Sequence, residues 1–158
     1  MKLYIQQKVF SWRDRFSIKD ADGADRYFAE GEIWSLGKQL HIYNANGHAV
    51  AHIGQKLMSF MPRFAIEING QIICEIVRKF TILHHDYAVE GLPWRLDGDF
   101  WGHEYSLIDG NQVIMRLSKQ WFTWGDSYEL DILNPEQELK CLCVALAVDC
   151  ALAVKGRS

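Results

Sequence analysis

Six histidines are the first candidates for chemistry in this chain, because imidazole is a common metal ligand and proton shuttle near neutral pH. His84, His85 and Asp86 are adjacent, but they fall in a segment that predicts a loop between two strands. The other histidines lack the HxH or HExxH spacing of a metal site. We therefore predict solvated loop histidines and no metal.

Nucleophilic and cofactor chemistry have equally little support. Three of the four cysteines, Cys141, Cys143 and Cys150, lie in an apolar segment, and no CxxC pair occurs. A GxSxG elbow is absent, and the glycines stand singly rather than in a phosphate-binding loop. We predict reduced cysteines that pack in a core, no catalytic residue and no cofactor. A small hydrolase is the remote alternative.

Basic side chains near predicted strand ends are the third candidate. They are Lys8, Arg15, Lys56, Arg63, Arg78, Lys79 and Lys119. If these ends converge on one rim, they would form a positive patch able to bind an anionic phospholipid or phosphoinositide head group. The alternative is a set of dispersed cations that keep hairpin ends soluble.

Large aromatic residues share those loops: Trp12, Phe60, Trp121 and Trp124. If these side chains are exposed, they would insert at a membrane interface. If they are buried, they would hold the loops in place.

The element that must organise these residues is a C-terminal helix. From Leu139 to Val154 only Lys140 and Asp149 are polar, so the helix must be surrounded by protein. Asn134 is the predicted N-cap, with Pro135 at the first helical position. Asp149 would be costly to bury unless it is paired, hydrogen-bonded or protonated. We expect it to meet backbone amides, a tyrosine hydroxyl or a cation near the helix exit, and a polar site is the alternative.

The rest of the chain predicts a strand meander. Four dipeptides typical of tight hairpins separate short strand-like segments: Asp22-Gly23, Asn46-Gly47, Asn69-Gly70 and Asp109-Gly110. Strands are predicted near 3–8, 15–20, 26–33, 39–44, 48–56, 63–68, 71–80, 85–90, 93–98, 103–109, 112–119 and 127–132.

One hairpin pattern occurs four times in this meander. Its first position is aliphatic, at Ile5, Ile53, Ile76 and Leu117. Eleven residues later stand aromatic residues, Phe16, Phe64, Tyr87 and Tyr128, and thirteen later aliphatic ones, Ile18, Ile66, Val89 and Leu130. Because strand side chains alternate with period two, the last two sets should face inward together.

These elements combine into one fold. A barrel of about eight strands fills with its own side chains, whereas a larger one needs a plug. We therefore predict a mainly β, twelve-stranded antiparallel closed barrel that encloses the apolar C-terminal helix, as a single domain over residues 1–158. The alternative, a membrane tail anchor, would place Asp149 in lipid at a cost of roughly 2.5–3.5 kcal/mol.

The order of elements and several local motifs resemble the LURP-one-related family. The motifs are the segment Gln6-Gln7-Lys8-Val9-Phe10-Ser11, the sequence GDSYELDI at 125–132, and the final apolar helix with its internal Asp149. The resemblance spans essentially the whole chain and implies the tubby C-terminal-like fold, which phospholipid scramblases share. Tubby domains bind phosphoinositides at a basic pocket, but no motif here aligns residue by residue with it.

With a net charge of −3 and a pI near 6.0, the chain has no overall positive electrostatic field that would attract nucleic acid. The first twelve residues contain no continuous apolar stretch of signal-peptide length, so we do not expect secretion. We expect a non-enzymatic cytoplasmic binding or scaffold domain that is peripheral to a membrane through weak anionic phospholipid binding; the alternative is a protein-interaction module. A contiguous basic rim with an exposed tryptophan would favour lipid, and a broad apolar patch would favour a protein partner.

Overall fold

The computed structural model of the protein describes residues 1–6, 15–32, 36–82, 85–122 and 125–154, and within these the backbone alone at 85, 121, 122, 125 and 126. The strands are β1 (Lys2–Gln6), β2 (Phe16–Asp20), β3 (Asp25–Gly31), β4 (Gln39–Asn44), β5 (Ala49–Gln55), β6 (Arg63–Ile68), β7 (Gln71–Phe80), β8 (His85–Glu90), β9 (Trp94–Asp99), β10 (Glu104–Asp109), β11 (Gln112–Phe122) and β12 (Gly125–Ile132). A 3-10 turn at Pro135–Gln137 leads into α1 (Glu138–Ala153).

The strands form one antiparallel meander that curls into a nearly closed barrel. Each strand pairs with its neighbours in sequence, and β1 also pairs with β12, so the sheet runs in the order β8-β7-β6-β5-β4-β3-β2-β1-β12-β11-β10-β9. The two edges, β8 and β9, follow each other in the chain. Between them Tyr87 packs edge-on against Phe100, with ring centroids 5.2 Å apart. The predicted twelve-stranded barrel is confirmed, with this seam closed by side chains rather than by a strand ladder.

The helix occupies the interior. Ten of its sixteen residues are buried, including every position from Cys141 to Val148. Asn134 caps the preceding 3-10 turn, where its Oδ1 accepts a hydrogen bond from the Glu136 amide at 3.3 Å. The predicted central helix is confirmed. Within the described chain, no helix combines the length and the apolar character needed to cross a membrane.

The fourfold hairpin pattern is confirmed by the strand register. In each copy the first position lies directly opposite the residue thirteen places later: Ile5 with Ile18, Ile53 with Ile66, Ile76 with Val89, and Leu117 with Leu130. All eight side chains are buried. One inward-facing layer of the core is therefore built from repeated hairpins.

Antiparallel pairing places the connections in two sets. The turn end of the barrel, as we call it, carries connections 21–24, 45–48, 69–70, 91–93, 110–111 and 133–137. The described parts of the connections at the loop end are residues 15, 32, 36–38, 56–62, 81–82 and 100–103. The four predicted hairpin glycines lie at the turn end, each with positive φ, from 58° to 80°. The helix begins at the turn end and finishes at the loop end.

Candidate functional site

The predicted basic residues do not form one patch. Lys8 lies outside the described residues. By strand alternation, Arg15, Lys56, Arg63 and Lys79 stand on the outer face of the barrel, whereas Arg78 and Lys119 continue the inward-facing rows of β7 and β11. Sequence spacing thus identified cations near one end, but they belong to two different surfaces.

Most of the outward cations already have partners. The Arg15 guanidinium lies over the Phe28 ring, 4.3 Å from its centroid. Arg63 Nη1 contacts carboxylates on two strands, Glu75 and, at 2.6 Å, Glu90. Lys56 also pairs with Glu75. These ion pairs reduce the positive charge available to an external anion.

The pKa of Glu75 reflects this network. Partial burial alone would raise the pKa, but hydrogen bonds from Lys56 and Arg63 outweigh it, and the pKa lies below its usual value. Lys79 is exposed and stands opposite Asp86 in the β7–β8 register. Lys56, Arg63 and Lys79 therefore share their sector with three carboxylates, those of Glu75, Asp86 and Glu90. Binding of a head group by the basic residues stays a prediction.

Exposed apolar side chains dominate the loop end instead. Met58 and Phe60 are fully exposed, at 102% and 99%, and Leu36, Phe80 and Ile82 are between 81% and 92% exposed. Leu57 and Trp101 add further apolar surface at the same end. We call these seven residues the apolar tips. The large exposed hydrophobic residues described at the turn end, Met1, Ile72 and Leu133, are 38–60% exposed, below the five most exposed tips.

Sequence reasoning singled out only Phe60 among the apolar tips. A signal was present, because Leu57, Met58, Phe60 and Met61 crowd one predicted loop, where polar residues are expected. The pattern could not tell whether these side chains fold back onto the barrel. Only the tertiary structure places them in solvent.

A narrow cleft, which we call the mouth cleft, opens at the loop end between the helix and strands β1, β10, β11 and β12. Its free space is about 10 Å³, enough for one water-sized group. Aliphatic side chains of the strands and of the helix line its walls. Its polar groups belong to His103, Tyr105, Tyr128 and Asp149.

Asp149 sits in this cleft rather than deep in the core. Its side chain is 19% exposed, and its Oδ1 lies 3.9 Å from His103 Nδ1. Burial raises the pKa of Asp149 to about 7, and the nearby Lys38 limits the rise. A cation near the helix exit was expected and is found in Lys38. The same burial, together with the charge on Asp149, raises the pKa of the Tyr105 phenol well above its ordinary value, so the phenol remains neutral.

The cysteines and histidines are the remaining candidates for chemistry. All four cysteines are buried and unpaired with one another, which confirms the predicted core thiols. Burial raises the pKa of Cys141 to about 12, which suppresses the reactive thiolate. His84 lies outside the described residues, and His85 is the first residue of β8. Across the described ranges, no group of histidine, cysteine and carboxylate side chains is arranged to hold a metal ion.

Comparisons with known proteins agree with this architecture. A family model described as LURP-one-related matches residues 1–150. The chain is 40% identical over 152 residues to a Bacillus subtilis (strain 168) protein named "Uncharacterized protein YxjI", covering 96% of this chain and 94% of that protein. It also resembles the X-ray structure of an Arabidopsis thaliana protein, with a TM-score of 0.63, 12% identity, and coverage of 94% of this chain and 89% of the other. The last likeness concerns the fold alone.

Proposed function

This chain belongs to the LURP-one-related family, and on that premise we propose that it is a non-enzymatic binding domain whose loop end docks on the interface of an anionic membrane. The observation that carries the proposal is the array of apolar tips on several separate loops at one end of the barrel. We further propose a cytoplasmic protein that is peripheral to the membrane, in keeping with its four unpaired cysteines.

The exposure of the tips favours a bilayer as the partner. Five of the tips are more than 80% exposed, so these five protrude from the barrel rather than form a flat patch: Leu36, Met58, Phe60, Phe80 and Ile82. A bilayer interface accepts protruding apolar groups without a complementary surface, whereas a protein partner must provide pockets that match them. Burying one Met or Phe side chain contributes roughly 1.5–3 kcal/mol.

The charge distribution favours the same orientation. The connections of the turn end contain Asp22 and Glu136 but no lysine or arginine. At the loop end, the described connections contain Arg15, Lys38 and Lys56 against the single acid Glu32, although Lys56 pairs with Glu75. The exposed Lys79 adjoins the tip residue Phe80. An anionic surface would therefore repel the turn end more than the loop end. Each basic residue near such a surface contributes about 1 kcal/mol at most.

Vesicle sedimentation tests the proposal with one variant at each end. We expect the double change Met58→Ser and Phe60→Ser to lower binding to phosphatidylglycerol-containing vesicles by roughly tenfold or more, since two inserted side chains are lost. The matched control is Ile72→Ser at the turn end, which should bind like wild type. Equal binding by wild type and the double variant would overturn docking through the tips.

A protein partner is the second candidate function, favoured by the charge compensation around Glu75. If the loop end binds a protein, neither neutral nor anionic vesicles should sediment the wild-type chain. The variant Lys79→Glu further distinguishes a membrane from a protein partner. If the loop end binds a membrane, this variant should weaken vesicle binding at low salt and have little effect at high salt, where charge interactions are screened.

A further inference from the structure

The mouth cleft contains polar groups that membrane docking does not use. Among the described residues, the Asp149 carboxylate makes no hydrogen bond, because its 3.9 Å approach to His103 is too long for one. The Tyr105 hydroxyl likewise makes no hydrogen bond within the described chain, although the residue is only 4% exposed. Both residues line the cleft.

The chemistry of these groups specifies what would complement them. A carboxylate and a phenol oxygen both accept hydrogen bonds, and only the carboxylate carries charge. The wall is aromatic, because His103 and Tyr128 stack with ring centroids 4.7 Å apart, and aromatic faces attract cations. The helix also ends at Ala153, and its C-terminal carbonyls add partial negative charge at the mouth. The carboxylate, the aromatic wall and the helix terminus each favour a small cation with N–H donors, whereas the nearby Lys38 opposes one.

We propose that the mouth cleft binds a primary ammonium group, with Asp149 as its charge partner and the Tyr105 hydroxyl as a second acceptor. The ammonium could come from a free amine or from a lipid head group such as ethanolamine or serine. The cleft opens at the loop end, so a lipid source rests on the proposed membrane docking. The ammonium site itself does not.

The groups that face Asp149 give the site a pH dependence. Lys38 approaches from the β3–β4 connection, His103 from the β9–β10 connection, and Tyr105 and Tyr128 from the barrel wall. Asp149 must be ionised to attract an ammonium, and its pKa is about 7. Protonated His103 would compete for the same carboxylate. Amine binding should therefore strengthen as the pH rises from 6 to 8.

Titration of the intact chain with ethanolamine, followed by NMR signals of the cleft tyrosines, tests the site. At pH 8 we expect saturable shifts, at least about tenfold weaker binding of choline, and a similar loss for Asp149→Asn. Choline is the matched ligand because it has the charge and no N–H donor. Tyr105→Phe should weaken ethanolamine several-fold, and Asp109→Asn at the turn end should bind like wild type.

Three results would overturn the ammonium site: no saturable shift, equal affinity for ethanolamine and choline, or unchanged binding by Asp149→Asn in a variant that melts cooperatively. Vesicles then separate the two sources. Greater sedimentation with phosphatidylethanolamine than with phosphatidylcholine at equal anionic lipid, lost in Asp149→Asn, assigns the lipid source. Equal sedimentation alongside ethanolamine binding assigns a free amine. Loss of vesicle binding in the Met58 and Phe60 double variant tests membrane docking independently of either result.

Discussion

The two ends of the barrel differ in how their polar groups are hydrogen-bonded and in how far their apolar side chains are exposed. At the turn end, short connections close on their own backbone, and the helix start is held by Arg26, whose guanidinium donates two hydrogen bonds to Glu138 at 2.7 and 2.9 Å. At the loop end, apolar tips stand in solvent and Asp149 lacks a hydrogen bond from any described residue. These contacts hold the helix start in place, although the Gln137 side-chain oxygen beside it is buried without a hydrogen bond from a described residue. Both proposals concern the second end because it combines exposed apolar side chains with the carboxylate of Asp149.

The helix also links the two ends, and breaking it gives the largest expected effect. Leu146 is 3% exposed among the barrel residues, so Leu146→Asp would bury an unpaired charge and cost roughly 4 kcal/mol or more. Termination after Leu133 should likewise give insoluble or molten protein. Thermal melting followed by near-UV circular dichroism measures this, with Leu146→Met as the volume-matched control. A cooperatively melting 1–133 fragment would contradict the role of the helix as the core.

The second largest expected effect is the change of stability with pH that the titration of Asp149 causes. Because the pKa in the folded chain is about 7 rather than 3.8, folding favours the protonated acid. The contribution of Asp149 to stability should therefore be complete below pH 4, decrease from pH 4 to 7, and be lost above that range. Asp149→Asn should exceed wild type by about 2 kcal/mol at pH 8 and match it near pH 4. Urea unfolding at both pH values measures the difference; equal gains at both would remove the titration of Asp149 as its cause.

Glu138 at the other end of the helix should show the opposite response. Burial tends to raise the pKa of Glu138, but hydrogen bonds from Arg26 and Tyr27 dominate and lower it. Its contribution should be complete above the ordinary pKa near 4.5 and be lost as the pH falls further. Glu138→Gln should cost about 1 kcal/mol at pH 7 and little at pH 3. The same urea series decides whether the two carboxylates respond with opposite signs.

The smallest expected effects are the stability changes caused by single substitutions in one connection at each end. Gly70 has φ of 78° with open space around its Cα, so Gly70→Ala should cost about 1 kcal/mol through backbone strain alone. Phe60→Ser should change stability by less than about 0.5 kcal/mol, because the ring contacts little in the folded chain. Chemical denaturation of both variants tests whether the turn end is specified by the backbone. A larger loss for Phe60→Ser would mean that the tips pack against the barrel.

Much of the fold followed from local chemistry in the sequence. Asn69 and Gly70 have the positive φ values, 51° and 78°, that the Asn-Gly pair predicts for a tight hairpin. Pro135 and the apolar segment from Leu139 to Val154, in which only two residues are polar, predicted the enclosed helix. Local signals sufficed here because turn geometry, strand alternation and helix capping depend on a few neighbouring residues.

The candidate site was predicted less well. Lys56 and Arg63 looked like available cations, but Glu75 comes from another strand and its pairing depends on register across the sheet. Arg78 and Lys79 are adjacent in sequence, yet alternation directs one inward and the other outward. The mouth cleft is formed by residues from the helix and four strands, so no local sequence pattern could predict it.

The sequence by itself therefore determined the elements, their antiparallel order and the enclosed helix, because each depends on side-chain period, backbone conformation and the need to cover one apolar segment. The tertiary structure alone decided which charges are compensated, which apolar side chains reach solvent, and that Asp149 shares a cleft with Tyr105 and His103. Those properties depend on distances between residues far apart in the chain. Such distances are fixed only when the barrel closes around its helix.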